Sequence, residues 1–269
     1  MVVGTAFPAD RTRPAPGSRR RRWRLPGVVG LLPLVILLAV WQFAGDSTSL
    51  SFPPPSAWID SLGAMQQQGV LWRAIGTTLT TFVVSLIVAV AIGVALGVAI
   101  GGSERLKRAL NPTLEFIRAV PPPALVPVVA IILGVSLTSG VTVVVIAIVW
   151  PILLGTATGM RAIPPVRREM ARSVGLTRGE QFWKITLPSL VPSIFTGTRV
   201  AVSISLVVTL LADILGAGTG LGALISERQQ SYDAASVWGL LLVIGLFGYL
   251  LNALLDIVGR FFRRDELGA

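Results

Sequence analysis

Hydrophobic positions in this 269-residue chain fall into long unbroken runs rather than the amphipathic periods of a water-soluble domain. A run of about 18 apolar residues is enough to cross a hydrocarbon core of about 30 Å. Residues 28–45 form the first such run and residues 75–101 the second. Between Arg118 and Arg161 no charge occurs over 42 positions, which is too long for one crossing. The sequence Ser136-Leu137-Thr138-Ser139-Gly140 reads as a turn and divides that interval into spans at 120–136 and 141–160. Runs at 192–215 and 237–258 complete a pattern that predicts six transmembrane helices and an all-α integral membrane fold.

The segments around these runs have characters of their own. Residues 1–27 are rich in Pro, Gly and Arg, with Arg19-Arg20-Arg21-Arg22 in a row, and read as a disordered basic cytoplasmic tail. A basic stretch before an apolar run also begins a secretory signal, but no convincing Ala-x-Ala-like site follows, and a second long span comes soon after. The first run is therefore expected to be a retained anchor. Residues 46–74 hold Pro53-Pro54-Pro55 and a modestly amphipathic piece between Trp58 and Trp72, the pattern of an interfacial segment with its indoles at headgroup level. The expected organisation is a tail at 1–27, a six-helix domain at 28–262 with a cytoplasmic loop at 161–190, and a cytoplasmic tail at 263–269.

Composition supports membrane insertion: 53% of residues are hydrophobic and 13% charged, against about 25% charged in soluble domains. The net charge of +10 would suggest a nucleic-acid partner if the cations formed a patch. Instead they segregate. With both termini cytoplasmic, 20 of the 23 Lys and Arg fall on the cytoplasmic side, Arg73 and Arg228 fall on the other, and Arg199 lies within a span. This is the positive-inside distribution of a multi-pass cell-membrane protein in contact with lipid, with no nucleic acid as partner. The absence of Cys and His removes thiolate nucleophiles, imidazole bases and most zinc ligand sets. No catalytic residue, metal site or cofactor is expected in the chain.

The loop between the fourth and fifth spans carries a distinct pattern. Pro164 and Pro165 suit the first positions of a helix, and Val166, Met170 and Val174 recur at i, i+4 and i+8 with Arg167, Arg168 and Arg172 off that stripe. Gly175 can end this helix in a left-handed conformation. A second short helix over 177–184, capped by Thr177, leads to Leu187-Pro188. A stripe in so short a loop has no core of its own, and it must pack on helix ends, on lipid or on a partner.

The motif Glu169-Met170-Ala171 followed by Gly175, and then by Ile185-Thr186-Leu187-Pro188, resembles the signature of permease subunits of ATP-binding-cassette importers. Further matches to the nitrate, taurine and aliphatic-sulfonate branch are Ile117-Arg118-Ala119-Val120-Pro121, the Pro-rich stretch 121–127, Trp150-Pro151-Ile152-Leu153, Pro192-Ser193-Ile194-Phe195-Thr196-Gly197 and Gly218-Thr219-Gly220-Leu221-Gly222. Met170 departs from the usual Ala, Ile132-Leu133-Gly134 from a common Trp-Phe-Gly, and Asp213 from a frequent Glu. The resemblance implies a type I importer architecture. It makes Glu169, Met170, Ala171, Gly175, Ile185, Leu187 and Pro188 a coupling loop for a separate cytoplasmic ATPase dimer, which would hold ATP and Mg. It also implies a second permease copy, as a homodimer, and an extracytoplasmic binding protein that delivers a sulfonate, nitrate, or similar small anion or heterocycle. No Gly-x-x-x-x-Gly-Lys loop occurs in this chain, which is consistent with ATP bound elsewhere.

Three further sets of residues suggest roles. Gly93, Gly97 and Gly101 recur every four residues, a ridge that lets helix backbones approach closely. Arg199, Ser203, Ser205, Thr209 and Asp213 give the fifth span a partly polar face that could line a pathway; a snorkelling Arg, a helix-end Asp and self-bonded hydroxyls are the plainer alternative. Pro121-Pro122-Pro123 and Pro127 would break a helix near the third span, either at membrane depth or just outside it. An ion-gradient-driven secondary transporter or channel is the competing class. It would call for inverted repeats or several intramembrane carboxylates, and only Asp213 and Asp256 lie near spans.

Overall fold

The structure, a computed structural model, describes residues 32–46, 49 and 51–264, apart from the side chains of Arg168, Asp256 and residues 258–264. The tail expected at 1–27 and the residues beyond 264 lie outside it. Among the described residues the secondary structure is helical throughout. The helices are α1 (Leu32–Ala44), α2 (Pro55–Gln67), α3 (Val70–Gly102), α4 (Glu104–Ala119), α5 (Pro122–Leu133), α6 (Leu137–Ala162), α7 (Pro165–Ser173), α8 (Arg178–Gln181), α9 (Leu187–Ile214), α10 (Leu221–Gln230) and α11 (Ala234–Arg264). A π-helical turn at Phe182–Thr186 joins α8 to α9.

The centre of the bundle is α6, packed between α3 and α9. Against lipid, a buried Leu gains little from leaving water, so helix association depends on how closely backbones approach. The Gly93, Gly97 and Gly101 ridge of α3 lies directly on α6. A Cβ at Gly93 would come within 2.9 Å of Ile152, one at Gly97 within 2.6 Å of Thr156, and one at Gly101 within 2.7 Å of Met160. The constant offset along both chains means that α3 and α6 run parallel. On the opposite side Gly197 of α9 abuts Pro151, with the carbonyl oxygen 2.6 Å from where a Cβ would sit. Val143, Val144, Ile148 and Ile152 of α6 are fully buried with Ala89 of α3 and Ala201 of α9.

The bundle has two unlike ends. At the far end, α2 and α10 close over the starts of α3 and α11, and Met65, Leu71, Leu221, Leu224 and Leu240 form a second core. Four aromatic rings tie α1 to this end: Trp41 meets Trp58 edge-on at 5.0 Å and Trp238 at 4.7 Å, and Phe52 stands beside Trp41. The indole N–H groups of Trp58 and Trp238 donate to the carbonyls of Pro53 and Ser51, so the 51–58 strap is fixed by hydrogen bonds as well as by packing. The loop end carries α4 and α7.

Four helical segments are long and apolar enough to cross a membrane: Val70–Gly102, Leu137–Ala162, Arg178–Ile214 and Ala234–Leu255. The pair α4 and α5, bent by 86°, makes a fifth if taken as one broken span. The first expected span begins outside the described residues, and its described part, α1, has 13 residues, about 20 Å at 1.5 Å per residue. Six expected crossings thus correspond to four long helices, one broken pair and one short helix. The expected turn at 136–140 is displaced: Gly134, with φ 72°, makes the break, and Ser136 caps α6 by accepting from the N–H of Ser139. The break near the third span falls at Pro121, and Pro122 opens α5 because a missing N–H costs nothing at a first helical position.

Candidate functional site

The loop between α6 and α9 is short and held by local devices at each step. Pro165 occupies the first turn of α7 after Pro164 in an extended conformation. At the other end, the Gly175 N–H donates to Arg172 O at 3.0 Å and the Leu176 N–H to Ala171 O at 3.0 Å, while Gly175 sits at φ 76°. This is a Schellman closure, and a side chain at that φ would strain it. Thr177 and Glu180 then form a reciprocal capping box that starts α8, and Lys184 holds the same Glu180 at 3.0 Å.

Within this frame, Ala171 is buried, whereas Val166, Met170 and Val174 are 60%, 62% and 78% exposed. The predicted apolar stripe therefore faces away from the protein's own core. In the π turn that follows, Trp183, two-thirds exposed, and Phe182 meet edge-on. Arg167 bridges to the Ser189 hydroxyl at 3.2 Å and ties α7 to the start of α9. Between them lies an open groove of about 440 Å³ that brings together Met170, Ile185 and Pro188. Glu169 points elsewhere, into a second hollow with Gly101, Met160 and Arg172. Leu187 is half-buried in the first turn of α9.

The second helix of the loop differs from its expected form. Instead of a separate helix followed by a fresh span at 192, the chain is continuous from Arg178 to Ile214, 37 residues, about 55 Å of helix. The π turn at Phe182–Thr186 makes this possible. Pro188 has no N–H to donate, and the widened turn before it shifts the ladder so that the helix passes through.

The expected polar face of α9 is divided. Arg199 and Ser203 are exposed, but Ser205, Thr209 and Asp213 are buried. The Ser203 and Thr209 hydroxyls donate to the carbonyls four residues back, Arg199 O and Ser205 O. Asp213 is 2% exposed. Its carboxylate accepts from the Thr78 hydroxyl at 3.4 Å and from the backbone N–H groups of Gly220 and Gly222, while the Leu221 N–H donates to Thr78 Oγ1 at 2.8 Å. Asp213 and Thr78 together cap the amino terminus of α10. A Cβ at Gly218 or Gly220 would collide with the Asp213 carboxylate, so the glycine turn is shaped around it.

The pattern reading overlooked the free face of α6 near the loop end. Trp150, Leu154, Thr158 and Arg161 line open hollows there, beside α4 and the start of α9. Their i, i+4, i+8, i+11 spacing was available in the sequence, hidden inside a uniformly apolar run.

A helical bundle of this connectivity, with a stiffened apolar loop at one end, is a membrane transport permease in form, and comparison with known proteins agrees. The family described as "Binding-protein-dependent transport system inner membrane component" matches residues 89–266. The chain is 32% identical over 240 residues to a nitrate import permease protein of Leptolyngbya laminosa, covering 86% of each. It is 28% identical to the taurine transport system permease protein of Escherichia coli, covering 87% of this chain and 90% of that one. A methionine ABC transporter in an inward-facing conformation has the same fold, with TM-score 0.63 at 20% identity over 72% of this chain and 97% of its own. An amino acid ABC transporter matches with TM-score 0.58 at 17% identity, over 74% and 97%.

The chain belongs to the family of binding-protein-dependent transport system inner membrane components. It is an integral membrane permease subunit of an ATP-binding-cassette importer, and the ATPase of such systems is a separate subunit. The family implies an ATPase and a binding protein as partners. Among the described residues no group of three or more Asp or Glu could hold a metal ion.

Proposed function

We propose that residues 161–190 form the coupling loop of this permease, with Val166, Met170, Ile185 and Pro188 seated against a cytoplasmic ATPase dimer that holds ATP and Mg. The observation that carries this reading is the exposed apolar stripe of α7 on a helix opened by Pro165 and closed by the Gly175 turn. A surface patch of that kind, flanked by Arg167, Arg172 and Lys184, is built to meet a partner. The loop end is then cytoplasmic, as are both termini of the chain. The cations of α4 and of residues 161–184 support this orientation, since Arg73 and Arg228 alone among the described cations stand at the far end.

A second copy of the chain completes the pore. The exposed apolar surface of α5, where Ile131 and Ile132 are 85% and 72% exposed, supports a helix-to-helix contact there as well as contact with lipid. The continuous helix from Arg178 to Ile214 transmits loop movement to the far end as a rigid body, switching the pore between inward-open and outward-open forms. The solute is a small anion or heterocycle brought by an extracytoplasmic binding protein, in a bacterial membrane. The relatives support this class, being permeases for nitrate, taurine, bicarbonate and, in Bacillus subtilis, putatively named aliphatic sulfonates.

Replacing Gly175 with Glu tests the docking role. At φ 76° a Glu is strained by about 1–2 kcal/mol, and its charge falls beside the apolar stripe. The variant is expected to insert and fold, to lose the co-purifying ATPase and to lose uptake. Normal uptake by this variant would refute the docking role.

A further inference from the structure

The turn between α10 and α11 breaks a rule that comparable turns of the chain keep. Helices α7, α9 and α10 close with the same pair of backbone bonds, in which one residue beyond the helix takes a left-handed conformation. After α7 that residue is Gly175 at φ 76°; after α9 it is Gly216 at φ 93°, with the Gly216 N–H donating to Asp213 O and the Ala217 N–H to Ala212 O. After α10 it is Tyr232 at φ 56°, with the Tyr232 N–H donating to Gln229 O at 3.1 Å and the Asp233 N–H to Arg228 O at 3.0 Å. Among the described residues no other non-glycine has a positive φ. A bulky side chain is disfavoured there because its Cβ crowds the following carbonyl, and glycine would close the same turn without strain. Strain of this kind persists where the side chain has a use.

Nothing within the chain accounts for the ring. Tyr232 is 82% exposed, and it meets no other aromatic among the described residues. The backbone beneath it is nonetheless fixed. Arg228 reaches the Asp233 carboxylate at 4.0 Å, Asp233 caps α11 by accepting from the Ser236 N–H at 3.1 Å, and the Ser231 hydroxyl donates back to Glu227 O at 3.1 Å. The exposed neighbours of Tyr232, which are Glu227, Gln229, Gln230 and Ser231, are all polar. A rigidly held aromatic within a polar rim is the anatomy of a protein–protein hot spot, where tyrosine is enriched and prior ordering lowers the cost of binding.

We propose that Tyr232 is the anchor on which this chain receives its extracytoplasmic binding protein, with the polar turn 227–232 as the surrounding contact. The inference rests on the permease reading, which puts this turn on the outer side, and it adds the residue that makes the contact. Tyrosine is also common where a chain meets the headgroups of a bilayer. A ring that held to lipid would stand among apolar neighbours, whereas those of Tyr232 are Glu, Gln, Gln and Ser. A soluble partner that must dock and leave again is suited by a small rigid surface with one aromatic at its centre.

In the test, p-benzoylphenylalanine replaces Tyr232 in the whole transporter, is photoactivated in intact cells, and the adduct is identified by mass spectrometry. A secreted solute-binding protein is expected. That protein, purified, is then titrated onto the complex with its ATPase in nanodiscs. Tyr232→Gly is expected to weaken its binding about thirtyfold, the effect of removing one hot-spot residue, and Tyr232→Phe, which keeps the ring, much less. The same Tyr232→Gly complex is expected to unfold at the parent's temperature or above it, because glycine relieves the turn. Opposite signs for binding and stability separate an anchor from a residue that merely supports the fold. A lowered unfolding midpoint in Tyr232→Gly would make the ring structural and overturn the inference. Unchanged affinity would overturn it too, as would a label that reaches only lipid, a second copy of the chain or nothing. In each of these cases the ATPase still co-purifies. A chain that recruits no ATPase would instead overturn the permease reading and the inference with it.

Discussion

At its far end, α9 stops on a buried carboxylate that takes three donors from two other elements: Thr78 of α3 and the N–H groups of Gly220 and Gly222 at α10. At its loop end, the same continuous helix begins among exposed side chains, with the capping box of Thr177 and Glu180, the Lys184–Glu180 pair and one bond from Arg167 of α7 to Ser189. The first end is satisfied internally. The second is rigid but leaves its apolar surface uncovered. One helix therefore joins an end that has finished its contacts to an end with an uncovered apolar surface, and the proposed lever between an ATPase and a gate uses that difference.

Substitutions at the two ends should consequently fail in different ways. Asp213→Ala removes the acceptor for two buried backbone N–H groups and one hydroxyl, at roughly 1–3 kcal/mol for each group left unsatisfied. We expect the largest loss of stability here, about 3 kcal/mol or more, read as a lowered midpoint of thermal unfolding in detergent. An Asp213→Ala protein as stable as the parent would show that α10 is not held by this carboxylate. Gly97→Leu comes next. It drives a Cβ to within 2.6 Å of Thr156 and 2.8 Å of the Leu153 carbonyl, and overpacking of this sort costs about 1–3 kcal/mol. Its unfolding midpoint should fall less than that of Asp213→Ala, and an unchanged midpoint would mean that α3 and α6 can separate freely. Gly175→Glu should cost the least stability while abolishing uptake, the reverse of the order set by the far end.

The sequence revealed much of this arrangement where the cause was local. Pro165, Gly175 and Thr177 announce the ends of α7 and α8 because caps act within a few residues. Gly93, Gly97 and Gly101 announce a close contact because their spacing matches one helix face, although nothing in α3 says that the neighbour is α6. Features with distant causes were not legible. Asp213 looks like a polar residue on a pathway face until Thr78, 135 residues away, and the 218–222 turn are brought to it. The run from Arg178 to Ile214 looks interrupted, because Pro188 and Pro192 ordinarily break helices, and only the π turn reveals how the ladder continues. The span expected at 120–136 likewise proves to be the 12-residue α5, set at 86° to α4 before it.

Because the chain contains no Cys, single cysteines report position directly. The most direct test of the account introduces Met170→Cys, with Tyr232→Cys at the far end as its counterpart, and treats inverted membranes carrying the whole transporter with a short bifunctional thiol–amine crosslinker. The account predicts that Met170→Cys is joined to the ATPase subunit, with a yield that changes when ATP is added, and that Tyr232→Cys is not. Crosslinking of the ATPase at Tyr232→Cys, or none at Met170→Cys in a complex that still hydrolyses ATP, would contradict it.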